Sequence, residues 1–141
     1  MKLFIIALFT LLIAPQTEDS GTLVIEITNI KNTNGHILVS LYDNAEGFPS
    51  EANRAIKNMK LDIKGETVTT TIDDLPYDTY AISLIHDEDD NEQMKTGFMG
   101  IPKEGYGTSN NAKGTMGPPK FEDAKFKVNG KRTVQSIKVN Y

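Results

Sequence analysis

The sequence predicts an all-β fold, a single antiparallel β-sandwich of about seven strands with one short helix insertion. Three observations predict it: apolar and polar residues alternate with period two in short runs, turn residues recur between the runs, and no stretch has the βαβ spacing of a parallel sheet.

In chain order, Lys2 precedes a continuous apolar run from Leu3 to Ala14, which is too short to span a bilayer and ends in Pro15 and polar Gln16 to Ser20. Residues 1–20 therefore read as a secretory signal peptide, cleaved either after Ala14 or nearer Ser20, and the mature chain is expected in the periplasm or outside the cell. Residues 21–141 have the size of one domain. The chain has no cysteine, which excludes disulfides, thiol catalysis, thiolate metal sites and an N-terminal lipid anchor. Its net charge is −4 and its lysines are scattered among the acids, so no basic face is available to a phosphate backbone. Nucleic acid is not an expected partner, nor is a membrane after signal cleavage.

The first two strands are read from Leu23, Ile25 and Ile27 alternating with Val24, Glu26 and Thr28, and from Ile37, Val39 and Leu41 alternating with Leu38, Ser40 and Tyr42. Lys31 to Gly35 lies between them, and Asn34-Gly35 supplies the positive φ angles of a tight turn, so an antiparallel hairpin is expected. Further strands are expected at Asn58 to Ile63, Thr67 to Ile72, Thr79 to Ile85, Ala124 to Val128 and Thr133 to Tyr141, with Lys64-Gly65 and Asn129-Gly130 as further hairpin turns.

Two segments break the alternation. Phe48 to Lys57 places Ala52, Ala55 and Ile56, with Met59 just beyond it, at helical spacing behind Pro49 and Ser50, which predicts a short helical cap over one end of the sandwich. Gly97 to Lys120 has six glycines and three prolines without sustained alternation. Its Phe98, Met99, Ile101, Tyr106 and Met116 suit an ordered loop packed on the sandwich, and loops this long are commonly functional.

Candidate chemistry gathers around these loops. Asp87, Asp89 and Asn91 form the D-x-D-x-N opening of a calcium loop, with the Gln93 carbonyl as a fourth ligand. Calcium is the candidate cofactor. No glycine follows at the sixth position, and Phe98 stands where a closing bidentate acid belongs; Asp90, Glu92 or Glu104 are the available substitutes. The same run also reads as a solvated strand end that keeps the sheet edge from pairing, or as a partner surface. His86 is in phase with Tyr80, Ile82 and Leu84 and so faces inward, which suits a hydrogen-bonded structural histidine. A catalytic use would draw on Ser83, Ser109 or Ser136, but no Gly-x-Ser-x-Gly elbow is present. Gly105 to Asn110 has no following helix to receive a phosphate, so its glycines read as a tight turn displaying Tyr106, Asn110 and Asn111. With His86 and Glu104, these three are the candidate residues for an unidentified protein, peptide or glycan ligand.

Several blocks together are distinctive: Ile37 to Tyr42 with Gly47-Phe48-Pro49, Asp74 to Ala81, the run His86 to Glu92, Gly100 to Asn111, and Phe121 to Ala124. They resemble a bacterial family of exported proteins known as domain of unknown function 2141, over essentially the whole mature chain. The resemblance implies an immunoglobulin-like or transthyretin-like (prealbumin-like) sandwich outside the cytoplasm, and no assigned activity. The resemblance implies a Gly at position 92 and an Asp at position 95 of the acidic run, where this chain has Glu92 and Lys95. The expected function is that of an exported, non-catalytic binding or interaction module. A calcium-stabilised carbohydrate-binding or adhesin-like domain is the alternative, and a hydrolase using His86 is a weaker one.

Overall fold

The computed structural model describes residues 19–141, and the expected signal peptide lies largely outside them. Eight strands form in chain order: β1 Ser20–Thr28, β2 His36–Tyr42, β3 Lys57–Asp62, β4 Val68–Pro76, β5 Asp78–Asp87, β6 Gly105–Thr108, β7 Phe126–Val128 and β8 Arg132–Lys138, with a four-residue helix α1, Phe121–Ala124, before β7. One sheet has the order β4-β1-β8; the other runs β3-β2-β5-β6, with β7 pairing β5 beyond it.

The inner faces follow from the alternation. Leu23, Ile25 and Ile27 of β1 meet Ile37, Val39 and Leu41 of β2, Ile82 and Leu84 of β5 and Ile137 of β8, all almost wholly buried. Each such side chain contributes roughly 1.5–3 kcal/mol of burial. The all-β sandwich is thus what the sequence predicts, with one departure from a wholly antiparallel arrangement: β1 and β8 run parallel, Leu23 opposite Thr133.

Three expected hairpins are corrected. β1 pairs with β4 and β8, whereas β2 pairs with β3 and β5, so Lys31 to Gly35 carries the chain from one sheet to the other. Lys64-Gly65 likewise crosses from β3 to β4, and Asn129-Gly130 from β7 to β8. Of the three glycines only Gly35 has a positive φ, and a turn residue lets the chain reverse without deciding whether it returns beside its own strand or across the core. Here each flanking strand carries one apolar face, and crossing lets the two faces bury each other.

The expected helical cap is reduced to a single 3-10 turn, Ala52–Arg54, with no buried residue. Ile56 is half exposed and Met59 belongs to β3, so the apparent helical stripe belongs to two different elements. Aromatic side chains lie at this end instead: the Phe48 ring stands edge-on to Tyr42 and to Phe121, with centroids 5.2 and 5.9 Å apart.

Within Gly97 to Lys120, β6 escapes the periodicity reading because glycines occupy its inner positions. A Cβ on Gly105 would lie 2.5 Å from the Tyr141 ring and 2.6 Å from Val139, and one on Gly107 would lie 2.8 Å from Ile137. These glycines make room for β8 and the segment after it rather than forming the expected tight turn, and β6 pairs antiparallel with β5 from Ser83 to His86.

Candidate functional site

The inner-face phase of β5 places His86 in the core, fully buried. Its Nε2–H donates to the Asn34 carbonyl at 2.8 Å, and its Nδ1 accepts from the Tyr141 hydroxyl at 2.7 Å. That hydroxyl in turn accepts from the Lys31 N–H at 3.1 Å. A carbonyl oxygen only accepts, so the ring carries a proton on Nε2 toward Asn34. Burial pushes the Tyr141 phenol above its ordinary range. The Lys31 ammonium lies over the Tyr141 ring and pairs with Glu88 at 2.8 Å. Burial opposes the Glu88 charge, but Lys31 and Asn32 together hold its carboxyl below the usual carboxylate range.

Asp87, one residue further, points to the outer face and is nevertheless fully buried, because the chain folds back over it. Its carboxylate accepts the N–H of Glu92 at 2.8 Å and of Asn91 at 3.2 Å. Glu104, just before β6 and only 4% exposed, accepts the N–H of Lys95 at 3.0 Å and of Glu88 at 3.2 Å. The turn 88–95 is therefore gripped from both sides. One oxygen each of Asp87, Asp89 and Glu104 lies within 4.8 Å of the others. Glu104 thus joins the cluster from the long loop. The Asn91 amide donates to Asp89, and its oxygen accepts the Gln93 N–H, so the proposed Asn91 ligand atom is engaged within the turn.

Gly35 has φ +62°, and a Cβ there would fall 1.7 Å from the Asp87 carbonyl oxygen. The Asn34-Gly35 turn thus docks on the end of β5, with Asn34 fastened by His86 and Gly35 against Asp87. Beside it, His36 contacts Asp90 at 2.8 Å and Asp62 at 3.5 Å, while Lys60 pairs with Asp90 at 2.8 Å. Lys60 and His36 hold the Asp90 carboxyl below its ordinary value of 3.8. A depressed folded value means the contribution is complete above the unfolded value and is lost as pH falls through the folded one. An NMR titration should therefore give Asp90 a midpoint below 3.8, which Lys60→Ala raises.

Asn110 and Asn111 are brought to β8 rather than to the acidic turn. The Asn111 amide accepts the Lys138 N–H at 2.8 Å and donates to the Ser136 carbonyl at 3.3 Å, imitating a strand partner along that edge. Asn110 donates to the Lys125 carbonyl at 2.9 Å. Ser109 Oγ donates to the Ala124 carbonyl and accepts the Ile82 N–H. Ser83 Oγ donates to the Pro49 carbonyl.

Tyr106 lines a groove that motif reading does not find. Its floor is the outer face of the five-stranded sheet, with Leu38, Ser40, Ser83, Ile85 and Tyr106, and its walls come from Met94 to Pro102 and Lys113 to Pro119; its volume is about 760 Å³. The available signal was the half-apolar outer face: Leu38 and Ile85 are out of phase with the core, yet apolar and half-buried.

The profile of a family described as uncharacterised proteins conserved in bacteria, DUF2141, matches residues 25–136. The chain belongs to this family. No curated protein and no solved structure matches it. In this DUF2141 domain Glu92 has φ +61°, a left-handed conformation that costs an L side chain about 1–2 kcal/mol. Glycine's greater freedom in the unfolded chain offsets part of that. Glu92→Gly should raise stability by about 0.5 kcal/mol in urea unfolding, after loss of the exposed contact to Lys60.

Proposed function

We propose that this DUF2141 domain is an exported, non-catalytic binding module that takes its ligand in the groove on the outer face of the five-stranded sheet. The observation that carries this reading is the groove itself, walled by a long loop that two buried carboxylates fasten to the sandwich. Such size and mixed lining are typical of ligand sites. The engagement of both His86 nitrogens within the fold supports a structural histidine over a hydrolytic one.

Thermal melting of the mature protein against panels of peptides, oligosaccharides and amphiphiles tests the reading, since a ligand of the native state raises the midpoint by mass action. The expected hit perturbs the NMR signals of Tyr106 and Ile85 and is lost in Ile85→Arg. Hits that all map elsewhere, or turnover of an ester substrate abolished by His86→Ala, would overturn it.

A second reading, a calcium-stabilised domain of carbohydrate-binding or adhesin type, draws on the convergence of Asp87, Asp89 and Glu104. Oxygen ligands of this kind suit a hard cation, which would pin the loop and form the groove wall rather than perform chemistry. Melting in chelator, calcium and magnesium discriminates: a calcium-specific rise that Asp89→Ala abolishes supports it, and no shift at millimolar calcium retires it.

A further inference from the structure

We infer that the occupant of the groove is a single amphiphile with an apolar chain and one anionic head, a long-chain carboxylate being the simplest example. The inference rests on the binding-module reading and names its ligand class.

The apolar part of the argument begins at the floor. Leu38 and Ile85 stand on the outer face of their strands beside the Tyr106 ring, and the walls add Met94, Met99 and Ile101. Two of these wall residues remain largely open to solvent, Met99 at 83% and Ile101 at 63%. Phe98, next to Met99 in the chain, and Met116, between the lining residues Gly114 and Gly117, are similarly bare, at 86% and 101%. Nothing among the described residues covers this wall. An inserted alkyl chain would bury it against the floor, and methionine's unbranched, polarisable side chain adapts to such a chain better than to a fixed shape. The volume of about 760 Å³ falls within the roughly 300–1,000 Å³ of single-ligand pockets, so one molecule is accommodated rather than a patch of bilayer.

The charge follows from the two ionic residues of the lining, Glu92 and Lys113. Glu92 contacts Lys60 at 3.4 Å, a lysine it shares with Asp90 at 2.8 Å. Lys113 is exposed and has no acidic partner among the described residues. An apolar trough with one uncompensated ammonium at its border complements a molecule with an apolar chain and one anion, and disfavours a cationic one. Ser40, Ser83 and Thr108 on the floor already donate to Asn58, Pro49 and Ala112, and Ser50, Gln93, Thr96 and Asn140 add scattered polar groups around them, so the continuous feature offered to a ligand is the apolar wall.

Isothermal titration of the mature protein with dodecanoate and with dodecyltrimethylammonium, each below its micelle concentration, tests the inference, with the methyl NMR signals of Met94 and Met99 as site reporters. The expected result is one dodecanoate per chain, shifts at both methionines, and markedly weaker binding of the cationic amphiphile. Lys113→Glu, a surface change that leaves the core intact, should weaken dodecanoate about tenfold, through lost attraction and added repulsion of about threefold each. Met99→Arg, also exposed, should block the chain and displace the methyl shifts. Equal binding of the two amphiphiles, or indifference to Lys113→Glu, overturns the anionic assignment while leaving the groove as a site. Binding only to phosphatidylglycerol vesicles, or to peptides or sugars in the same groove, overturns the single-amphiphile assignment. Absence of every ligand class from the groove overturns the module reading as well.

Discussion

Replacing His86 by alanine is expected to lower the unfolding free energy by about 3 kcal/mol. Two effects add. The imidazole is fully buried, so its removal leaves a cavity whose lining loses packing contacts, and core truncations of this size cost about 2–5 kcal/mol. The Asn34 carbonyl and the Tyr141 hydroxyl also lose their ring partners, and each buried group left unsatisfied costs about 1–3 kcal/mol, less where water enters the cavity. Tyr141→Phe separates the terms: it keeps the ring beside His86 and removes the hydroxyl that both His86 and the Lys31 N–H use, so about 1 kcal/mol should be lost. Urea unfolding of the two variants checks the sizes. Undiminished stability in His86→Ala would contradict the structural role, because no exposed face of the ring exists to compensate.

The parts of this molecule legible in its sequence are those where a side-chain period reports a buried face. β1, β2 and β5 keep a buried apolar residue at every second position, Leu23 to Ile27, Ile37 to Leu41 and Tyr80 to Leu84, and His86 at the end of β5 inherits that inward phase. β6 has no such record, because contact with Ile137, Val139 and Tyr141 leaves room only for hydrogens at Gly105 and Gly107. A strand whose inner positions are emptied to admit a neighbour looks like a loop. The positive φ of Gly35 was legible too, but not its use: the close approach to the Asp87 carbonyl is a long-range contact, and local turn chemistry carries no information about it. The acidic turn divides in the same way. Alternating acids mark Asp87 and Asp89, whereas the arrival of Glu104 depends on the pairing of β6 with β5. Asn110 and Asn111 read from the sequence as displayed amides suited to a ligand, whereas in the fold they are bonded to β8 and the segment before β7.

Asp87→Ala is expected to cost about 3 kcal/mol and Glu104→Ala about 2 kcal/mol, with the double variant costing about 1 kcal/mol less than their sum. Asp87 is fully buried and accepts two backbone N–H groups, those of Asn91 and Glu92, while Glu104 accepts those of Glu88 and Lys95. Hydrogen bonds to a charged acceptor contribute about 1.5–3 kcal/mol, and truncation leaves their donors to find water. The shortfall in the double variant follows from the shared object: both carboxylates hold the turn 88–95, and once one side is released the turn already samples open conformations, so the second release removes less. Amide hydrogen exchange provides the decisive readout, because loss of Asp87 should speed exchange at Asn91 and Glu92 directly and at Lys95 through opening of the whole turn. Strict additivity, with Lys95 unaffected by Asp87→Ala, would mean that the two acids fasten separate segments. The groove wall would then depend on Glu104 alone, since only that residue would join the turn to the strand lining the groove.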